Sequence, residues 1–346
     1  MNGLKNIDKI IIPTDIILDL VDIYKYIGKN DDYYNRVENN YDIILEQTIE
    51  RDTYFLASLA DLDLSDTRMR LIITKNSKPR TKEEAILANI KEVVKVIHRN
   101  SSEYIFNSSD LLAIANKIYD KNSVKFASEK RSRKTPLASQ ALRSKRVVFD
   151  EMVDEYSLLI EKEIHERIFL STMFFVDFIN YQPFTDKNEI TSYLALYYLL
   201  LRCNVDVFKY ISFFESWFEV KDEFQKQLIA ASFNWEEGFP QVLGLFRVIL
   251  KMIKSSYHRL EDFIKEYYYE EKINKADNVE NTIYKLPNIF SKEDIKMIHP
   301  YISESTINRT LAKLRDENKI RPLGRGRSAK WCKIIEEDDF EHIFRG

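Results

Sequence analysis

The amino-acid sequence predicts a mainly α-helical protein, and three observations support that fold class. The chain of 346 residues contains only seven glycines and eight prolines, whereas sheets and tight turns require many of both. Apolar residues recur at helical spacing, most clearly over Phe149–Ile179. The stretch Ser192–Leu201 is apolar almost all round, which is typical of a helix buried at the centre of a domain.

Helical periodicity also predicts helices on both sides of these two segments. They are Ile10–Ile27, Tyr41–Phe55, Glu83–Ile97, Ser109–Ile118, Phe208–Phe218, Lys221–Ser232 and Pro240–Tyr268. Changes in composition divide the chain into four parts. We predict an N-terminal helical region over 1–100, a helical core over 101–269, a polar linker over 270–284 and a small domain over 285–346.

Composition excludes several classes of protein. The formal net charge of −3 selects no partner by itself. Cys203 and Cys332 are the only cysteines, too few for a disulfide framework or a four-cysteine zinc site. The first residues lack the apolar core of a signal peptide, and no apolar run reaches the roughly 18 residues of a membrane span. We therefore expect a cytoplasmic protein with no membrane partner.

Residues 121–146 form a basic flap, by which we mean a positively charged loop with weak apolar periodicity. Its only acidic residue is Glu129. Two interpretations stay open: a solvated loop, or a charged rim that meets phosphate or an acidic protein partner. The cations are Lys121, Lys125, Lys130, Arg131, Arg133, Lys134, Arg143, Lys145 and Arg146.

The most informative motif lies between the two strongest helical segments. Residues 182–191 read Gln-Pro-Phe-Thr-Asp-Lys-Asn-Glu-Ile-Thr. This stretch resembles the signature loop of the Fic family, His-Pro-Phe-x-Asp-Gly-Asn-Gly-Arg. Four positions match, namely Pro183, Phe184, Asp186 and Asn188. The histidine position holds Gln182, and the two glycines and the arginine are replaced by Lys187, Glu189 and Ile190.

The resemblance implies a mainly α Fic-like domain that transfers AMP from ATP to a protein hydroxyl, with the histidine as general base. Gln182 has no titratable group near neutral pH and cannot take that proton. With ATP and magnesium as the implied cofactors, Asp186 is the candidate metal ligand, and Asp186, Lys187 and Asn188 are the candidate nucleotide contacts. Asp186 and Asn188 have a structural interpretation as well, as a helix cap and a turn-fixing amide.

A second element of the resemblance is the family's inhibitory helix, which carries Ser-x-x-x-Glu-Gly. The stretch 53–63 resembles it, with Ser58 at the serine position and Leu62 at the glutamate position. The arginine that this glutamate would pair with corresponds to Tyr193. Both partners of the inhibitory ion pair are therefore replaced, unless the register differs and Asp61 or Asp63 takes the acidic role.

The C-terminal part predicts two helices followed by a hairpin. Ser291 can cap a first helix that turns Ile295 and Ile298 inward, and Pro300 ends it. A second helix over 306–318 places Ile307, Leu311 and Leu314 on its buried side. Two strands, Ile320–Leu323 and Ala329–Ile334, flank a basic tip that contains glycines.

This order resembles a winged-helix DNA-binding domain, whose second helix enters the major groove while the wing contacts phosphate. The candidate contacts to double-stranded DNA are Ser305, Thr306, Asn308, Arg309, Lys313, Arg325, Arg327 and Lys330. We therefore expect a DNA-binding regulatory protein of Fic fold with little or no AMP-transferase activity. Two alternatives stay open: an active adenylyltransferase with an atypical motif, and a protein-interaction module. A homodimer is also open.

Overall fold

α-Helices dominate the computed structural model, which describes residues 3–100, 107–119, 123–128, 144–272, 275–299, 302–324 and 329–334. The mainly α fold class is therefore confirmed. The first helices are α1 (Thr14–Ile27), α2 (Asn30–Val37), α3 (Tyr41–Leu59), α4 (Asp66–Lys75), α5 (Lys82–Asn100), α6 (Ser108–Tyr119), α7 (Lys145–Lys162), α8 (Arg167–Tyr181) and α9 (Asn188–Arg202).

The remaining helices are α10 (Phe213–Glu219), α11 (Lys221–Ala231), α12 (Leu243–Lys272), α13 (Lys275–Lys285), α14 (Lys292–Ile298) and α15 (Glu304–Asp316). Short 3₁₀ segments lie at Leu4–Lys9, Glu38–Asn40 and Asp206–Lys209. Three short strands, β1 (Ile289–Phe290), β2 (Ile320–Pro322) and β3 (Trp331–Lys333), complete the described elements. None of the described helices combines the length and the apolarity that a bilayer crossing requires.

The chain divides into two compact units, one of Met1–Asp32 with Leu45–Leu260 and one of Tyr33–Ile44 with Glu261–Gly346. The predicted domain boundaries at 100 and 269 stay predictions. The segment 270–284, which the composition predicts as a polar linker, is mostly helical, because α13 occupies most of it. Val279 and Ile283, one helical turn apart, are buried in the core of the second unit, and this short apolar stripe is what makes the segment helical.

The core of the first unit is the pair α8 and α9, which pack against each other. Every residue from 168 to 178 and from 190 to 201 is buried, and for Ser192–Leu201 the almost all-round apolar pattern predicts this. The single helix expected over Phe149–Ile179 is broken, however, between α7 and α8. Glu163 adopts a left-handed conformation with φ 53°, and the Glu166 carboxylate caps α8 by accepting the N–H groups of Ile168 and Phe169 at 2.8 and 2.6 Å.

A buried carboxylate joins four elements of this unit. Asp52 on α3 accepts hydrogen bonds from the Ser212 hydroxyl at 2.7 Å and from the Phe214 N–H at 3.0 Å, just before and within α10. The Tyr197 hydroxyl of α9 donates to the same carboxylate at 3.0 Å, and Nε2 of His98 on α5 lies 3.0 Å from it. Burial of a charged group is tolerated because these partners replace its lost hydration.

A second buried carboxylate holds the N-terminal segment. Asp177 on α8 accepts the N–H groups of Gly3 and Leu4 at 2.6 and 3.1 Å and the indole Nε1–H of Trp235 at 2.7 Å. Position 3 requires glycine, because a Cβ atom there would lie 2.7 Å from the side chains of Met173 and Pro240. Burial outweighs the three hydrogen bonds and raises the pKa of Asp177 to about 6.

The second unit has its own core and a small antiparallel sheet. A capping box opens α14 as predicted: Ser291 Oγ accepts the Asp294 N–H at 3.2 Å, and Asp294 accepts the Ser291 N–H at 2.7 Å. The buried stripe of α15 is Ile307, Leu311 and Leu314, also as predicted. Ile298, which was expected inside, is 48% exposed because α14 ends there after a single buried position.

The sheet has the order β1-β3-β2, so the predicted hairpin strands pair and a strand that the sequence analysis missed joins them. β2 and β3 are antiparallel with Arg321 opposite Cys332, and β1 is antiparallel to β3 with Ile289 opposite Cys332. β1 has only two residues, too few for an alternating pattern to be recognised.

The buried Asp177 predicts an unusual pH dependence of stability. Between the unfolded pKa of 3.8 and the folded pKa of about 6, the folded chain binds more protons than the unfolded chain. The free energy of unfolding therefore falls as the pH rises through this window, by up to about 3 kcal/mol from this group. Urea unfolding of the wild type and of Asp177→Asn at a series of pH values measures it.

The wild type should lose stability relative to Asp177→Asn as the pH rises through that window. An Asp63→Asn variant, changed at an exposed aspartate of the same unit, should keep the pH profile of the wild type. Parallel profiles for the wild type and Asp177→Asn would contradict the assignment of the raised pKa to this carboxyl group.

Candidate functional site

The loop between α8 and α9 has a defined shape that begins at Gln182. This residue caps α8 in a left-handed conformation with φ 49°, and its N–H donates to the Phe178 carbonyl at 3.0 Å. Its side chain is exposed. Lys145 donates from Nζ to the carbonyl oxygens of Tyr181 and Gln182 at 2.9 Å each, which places a cation at the negative end of the α8 dipole.

An inward-facing aromatic ring anchors the middle of the loop. Phe184 is 2% exposed, and its ring centroid lies 5.4 Å from Phe126, 5.7 Å from Phe149 and 5.8 Å from Phe178. Pro183 is buried beside it. Two of the four matches to the Fic signature are thus apolar core residues that fix the path of the backbone.

Asn188, a third match, holds the turn closed. Its Oδ1 accepts the Phe184 N–H at 2.9 Å, and its Nδ2 donates to the Phe184 carbonyl at 3.0 Å. The amide therefore uses a donor and an acceptor on one backbone residue of the loop. This geometry is the turn-fixing arrangement, and it uses one of the two amide hydrogens of Asn188.

Asp186 and Lys187 lie at the exposed tip. Asp186 Oδ1 accepts the Lys187 N–H at 2.8 Å. Lys187 has φ 64°, the left-handed region that glycine occupies without strain, so a lysine here holds a backbone conformation that favours glycine. The Lys187 ammonium lies 4.6 Å from the centre of the Tyr119 ring and 3.7 Å from the second oxygen of Asp186.

Negative charge gathers at the start of α9, where a helix N-terminus normally attracts anions. The carboxylate of Glu189, in the first turn, accepts the Tyr193 hydroxyl at 2.6 Å. Burial, then the charges of Asp186 and Glu189, raise the pKa of Tyr119 to about 12. Burial, followed by the hydrogen bond to Glu189, likewise raises the pKa of Tyr193. Both phenols therefore stay protonated at neutral pH.

The described part of the basic flap runs along the loop. The Thr185 N–H donates to the Lys125 carbonyl at 2.8 Å, and the Ala127 N–H donates to the Pro183 carbonyl at 2.8 Å. A single antiparallel bridge joins Phe126 to Phe184. Residues 120–122 and 129–143 lie outside the described residues, and with them most of the flap cations.

The C-terminal end of α3 approaches the same place, but not through Leu62. Ser58 donates its hydroxyl to the Tyr54 carbonyl at 3.0 Å, within its own helix. Leu62 packs into an apolar cluster around α4 and α5. Asp61 adopts φ 50°, and its charge contributes to the raised pKa of Tyr193. The charge of Asp61, the residue of the alternative register for the inhibitory segment, therefore acts at Tyr193 of α9.

The candidate DNA contacts on α15 differ in whether their side chains have a hydrogen-bond or ion-pair partner within the chain. Ser305, Asn308 and Arg309 are exposed, and Thr306 is half-buried at the helix start. Over the described residues, neither Asn308 nor Arg309 has a side-chain hydrogen-bond or ion-pair partner. Lys313 pairs with Glu280 of α13 at 3.0 Å. Lys330 is exposed, and Arg325 and Arg327 lie outside the described residues.

Several polar groups of the loop have partners within the chain. The Lys187 N–H donates to Asp186, one N–H of the Asn188 amide donates to the Phe184 carbonyl, and Glu189 lies in the first turn of α9. Among the described residues, no group of three or more His, Cys, Asp or Glu side chains gathers as a metal site, although a magnesium ion held by one carboxylate and by phosphate needs no such group.

Comparison with solved structures identifies the fold. A Fic family protein from Desulfovibrio desulfuricans G20 is similar over 94% of this chain and 98% of its own, with a TM-score of 0.52 and 12% identity. A Fic domain containing signaling protein from Bacteroides thetaiotaomicron VPI-5482 is similar over 72% of this chain and 98% of its own, with a TM-score of 0.51 and 14% identity.

Fic-1 from C. elegans gives a TM-score of 0.51 at 14% identity, over 72% of this chain and 74% of that chain. No protein-family model and no curated protein matches the sequence. The class of fold is nevertheless defined: this is a protein of Fic-like fold, as the loop resemblance predicted. The identities are too low to extend the likeness beyond the fold.

The two hydrogen bonds of Asn188 predict that this residue stabilises the loop. Asn188→Ala should lower the free energy of unfolding by about 1–3 kcal/mol, because the Phe184 amide and carbonyl lose their partner. It should also speed hydrogen exchange of the Phe184 amide. Gln225→Ala, at an exposed carboxamide of α11 in the same unit, serves as the control and should change stability by about 0.5 kcal/mol or less. Equal effects of the two substitutions would show that the amide does not fix the turn.

Proposed function

We propose that this Fic-fold chain is a DNA-binding regulatory protein with little or no AMP-transferase activity. The proposed loss of AMP transfer rests on the first turn of α9. There Glu189, which accepts the Tyr193 hydroxyl, lies at the helix end that a phosphate group would approach. The observation that supports DNA binding is the unpaired polar surface of α15 at Asn308 and Arg309.

General-base catalysis is the first missing function. The position of the base holds Gln182, whose side chain is exposed at the loop entrance. A carboxamide neither gains nor loses a proton near neutral pH, so it cannot activate a hydroxyl group. Loss of a positioned general base lowers a rate by about 10²–10⁴.

Anion binding is the second missing function. Asp186 and Glu189 both point negative charge towards the loop, and Lys187 is engaged with the Tyr119 ring and with Asp186. Ile190 is buried and supplies no guanidinium. A polyphosphate placed here would meet like charge, which opposes its binding.

The proposed losses of general-base catalysis and of anion binding can be tested separately by substitution. We expect no self-labelling when the wild type is incubated with labelled ATP and magnesium. Gln182→His alone should also give none, because the anion site remains unfavourable. Combining it with Lys187→Gly, Glu189→Gly and Ile190→Arg should restore measurable transfer. Incorporation of label into protein, resolved by electrophoresis and mass spectrometry, measures each variant.

Labelling by the unaltered chain that disappears in Asp186→Ala would instead support an active adenylyltransferase. Restoration by Gln182→His alone would contradict the proposed loss of anion binding while leaving the role of the missing base intact. The wild type, Gln182→His and Asp186→Ala therefore serve as controls for one another.

The case for DNA rests on the second unit by itself. Its helices α14 and α15 and its three-stranded antiparallel sheet carry the order of a winged helix, with α15 as the second helix. Asn308 and Arg309 are adjacent and exposed, and both lie away from the buried stripe of Ile307, Leu311 and Leu314. An amide and a guanidinium are the side chains that most often read adenine and guanine edges.

Arg309→Ala should weaken binding to a preferred duplex by about 1–3 kcal/mol, roughly 5- to 150-fold, if the guanidinium reads a base. Arg315→Ala is the matched control, because Arg315 is exposed on the same helix but is paired with Asp316 at 2.7 Å. Fluorescence anisotropy of a selected duplex, at several salt concentrations, gives both affinities.

The wing supplies a second measurement on the same duplex. Replacing Arg325 and Arg327 by alanine should reduce the slope of log affinity against log salt concentration by nearly two, because each phosphate contact contributes about 0.9 to that slope. Equal losses for Arg309→Ala and Arg315→Ala would contradict base reading by Arg309. No affinity for any duplex at low salt would favour the protein-interaction module instead.

A further inference from the structure

A cluster of four charged side chains lies in the second unit, between α13 and the end of α15. Lys313 and Lys319 donate to different oxygens of the Glu280 carboxylate, at 3.0 and 3.3 Å. Glu317, directly after α15, lies 2.8 Å from Lys319 and 3.8 Å from Lys313. Two carboxylates therefore face two ammonium groups, and the cluster has no net charge.

The Glu280 carboxylate is held in place more firmly than the two lysines. Val279 and Ile283 of the same helix are buried in the core of the second unit, and the Glu280 side chain is only 17% exposed. Lys313 and Lys319 are 51% and 44% exposed. Ion pairs of such exposed lysines contribute about 0–1 kcal/mol. A polyanion can therefore draw both lysines away from Glu280.

The charges of the cluster act on one another. Burial by itself would raise the pKa of Glu280, but the hydrogen bonds from Lys313 and Lys319 outweigh burial and lower it. The hydrogen bond to Glu280 raises the pKa of Lys313. Hydrogen bonds to Glu317, then to Tyr284 and Glu280, raise the pKa of Lys319. Glu280 and both lysines are thus charged at neutral pH, so the lysines are neutralised by ion pairing.

Lys313 lies on the side of α15 that carries Arg309. The two residues are four positions apart, and such residues are neighbours on a helix surface. Where Arg309 reads a base edge, a cation one turn further along the helix is suited to the phosphate backbone beside the groove. Lys319 follows α15 and precedes β2. Both ammonium groups have an internal carboxylate as partner where DNA would offer phosphate.

We propose that Glu280 is an internal competitor of backbone phosphate, which holds Lys313 and Lys319 in the free protein and so weakens binding to DNA of any sequence. This inference rests on the proposed DNA binding. Phosphate contacts carry no sequence information, so the restraint applies alike to all duplexes. It shortens the stay on non-specific DNA, of which a genome offers about 10⁶–10⁹ competing sites.

Glu280→Gln tests the proposal, because it removes the charge and keeps the shape of the side chain. The cluster then has one net positive charge. Affinity for a duplex should rise about fivefold to tenfold in about 0.1 M salt, and the slope of log affinity against log salt concentration should steepen by about 0.9, as one added phosphate contact contributes. A selected duplex and a scrambled duplex should gain by the same factor. Fluorescence anisotropy of the full chain at several salt concentrations measures these quantities.

The matched control repeats the substitution where the two lysines are absent. In a Lys313→Gln, Lys319→Gln background, Glu280→Gln should change the affinity by less than about twofold, because salt screens the remaining effect of a single charge on DNA. Circular dichroism and thermal unfolding establish that each variant folds. A carboxylate that only fastens α13 to α15 would change the thermal stability and leave the salt slope unchanged.

Three results would overturn the competition by Glu280 and leave DNA binding intact. They are equal affinities of the wild type and Glu280→Gln, a gain confined to the selected duplex, and an equal gain in the background without the lysines. A lack of affinity for any duplex, in the wild type and Glu280→Gln alike, would overturn the proposed DNA binding and this inference with it.

Discussion

The buried carboxylate of Asp52 is the interaction on which the geometry of the first unit depends. It draws together α3, α5 and α9 and the start of α10 through His98, Tyr197, Ser212 and the Phe214 backbone. Removing this carboxylate would deprive the Ser212 hydroxyl and the Phe214 N–H of the acceptor they share, at about 1–3 kcal/mol for each buried group left unsatisfied. Because α3 and α9 are fixed here, the acidic end of α3 is held near the first turn of α9.

In the loop at the start of α9, the residues that fix the backbone are different from the residues that could bind or react. Pro183, Phe184 and Asn188 turn inward and determine the path of the backbone. Gln182 and Glu189 are exposed and determine what the loop could bind or activate. The two sets do not overlap, so the fold can tolerate a carboxamide in place of an imidazole and a carboxylate beside a helix N-terminus. The Fic-like fold and the proposed loss of transfer are therefore compatible within one molecule.

The sequence predicts those features that depend on neighbours along the chain. The buried α9, the capping box at Ser291 and the apolar stripe of α15 are local patterns, and all three occur in the structure. The break after α7 depends on a left-handed glutamate, which no propensity indicates. The four matches located the loop, but the contacts of Lys187 with Tyr119 and of Glu189 with Tyr193 depend on tertiary packing. The roles of the predicted site residues remain predictions.

The left-handed backbone at Lys187 has a consequence for what this loop can become. A residue with a Cβ atom already occupies the conformation that glycine would favour, and it does so within a turn clamped from inside by Phe184 and Asn188. Glu189, exposed in the first turn of α9, can then vary while the inward residues keep the path of the backbone. Substitution at Asp186 or Lys187 instead changes the turn itself, because the Asp186 carboxylate accepts the Lys187 N–H and few side chains adopt a positive φ.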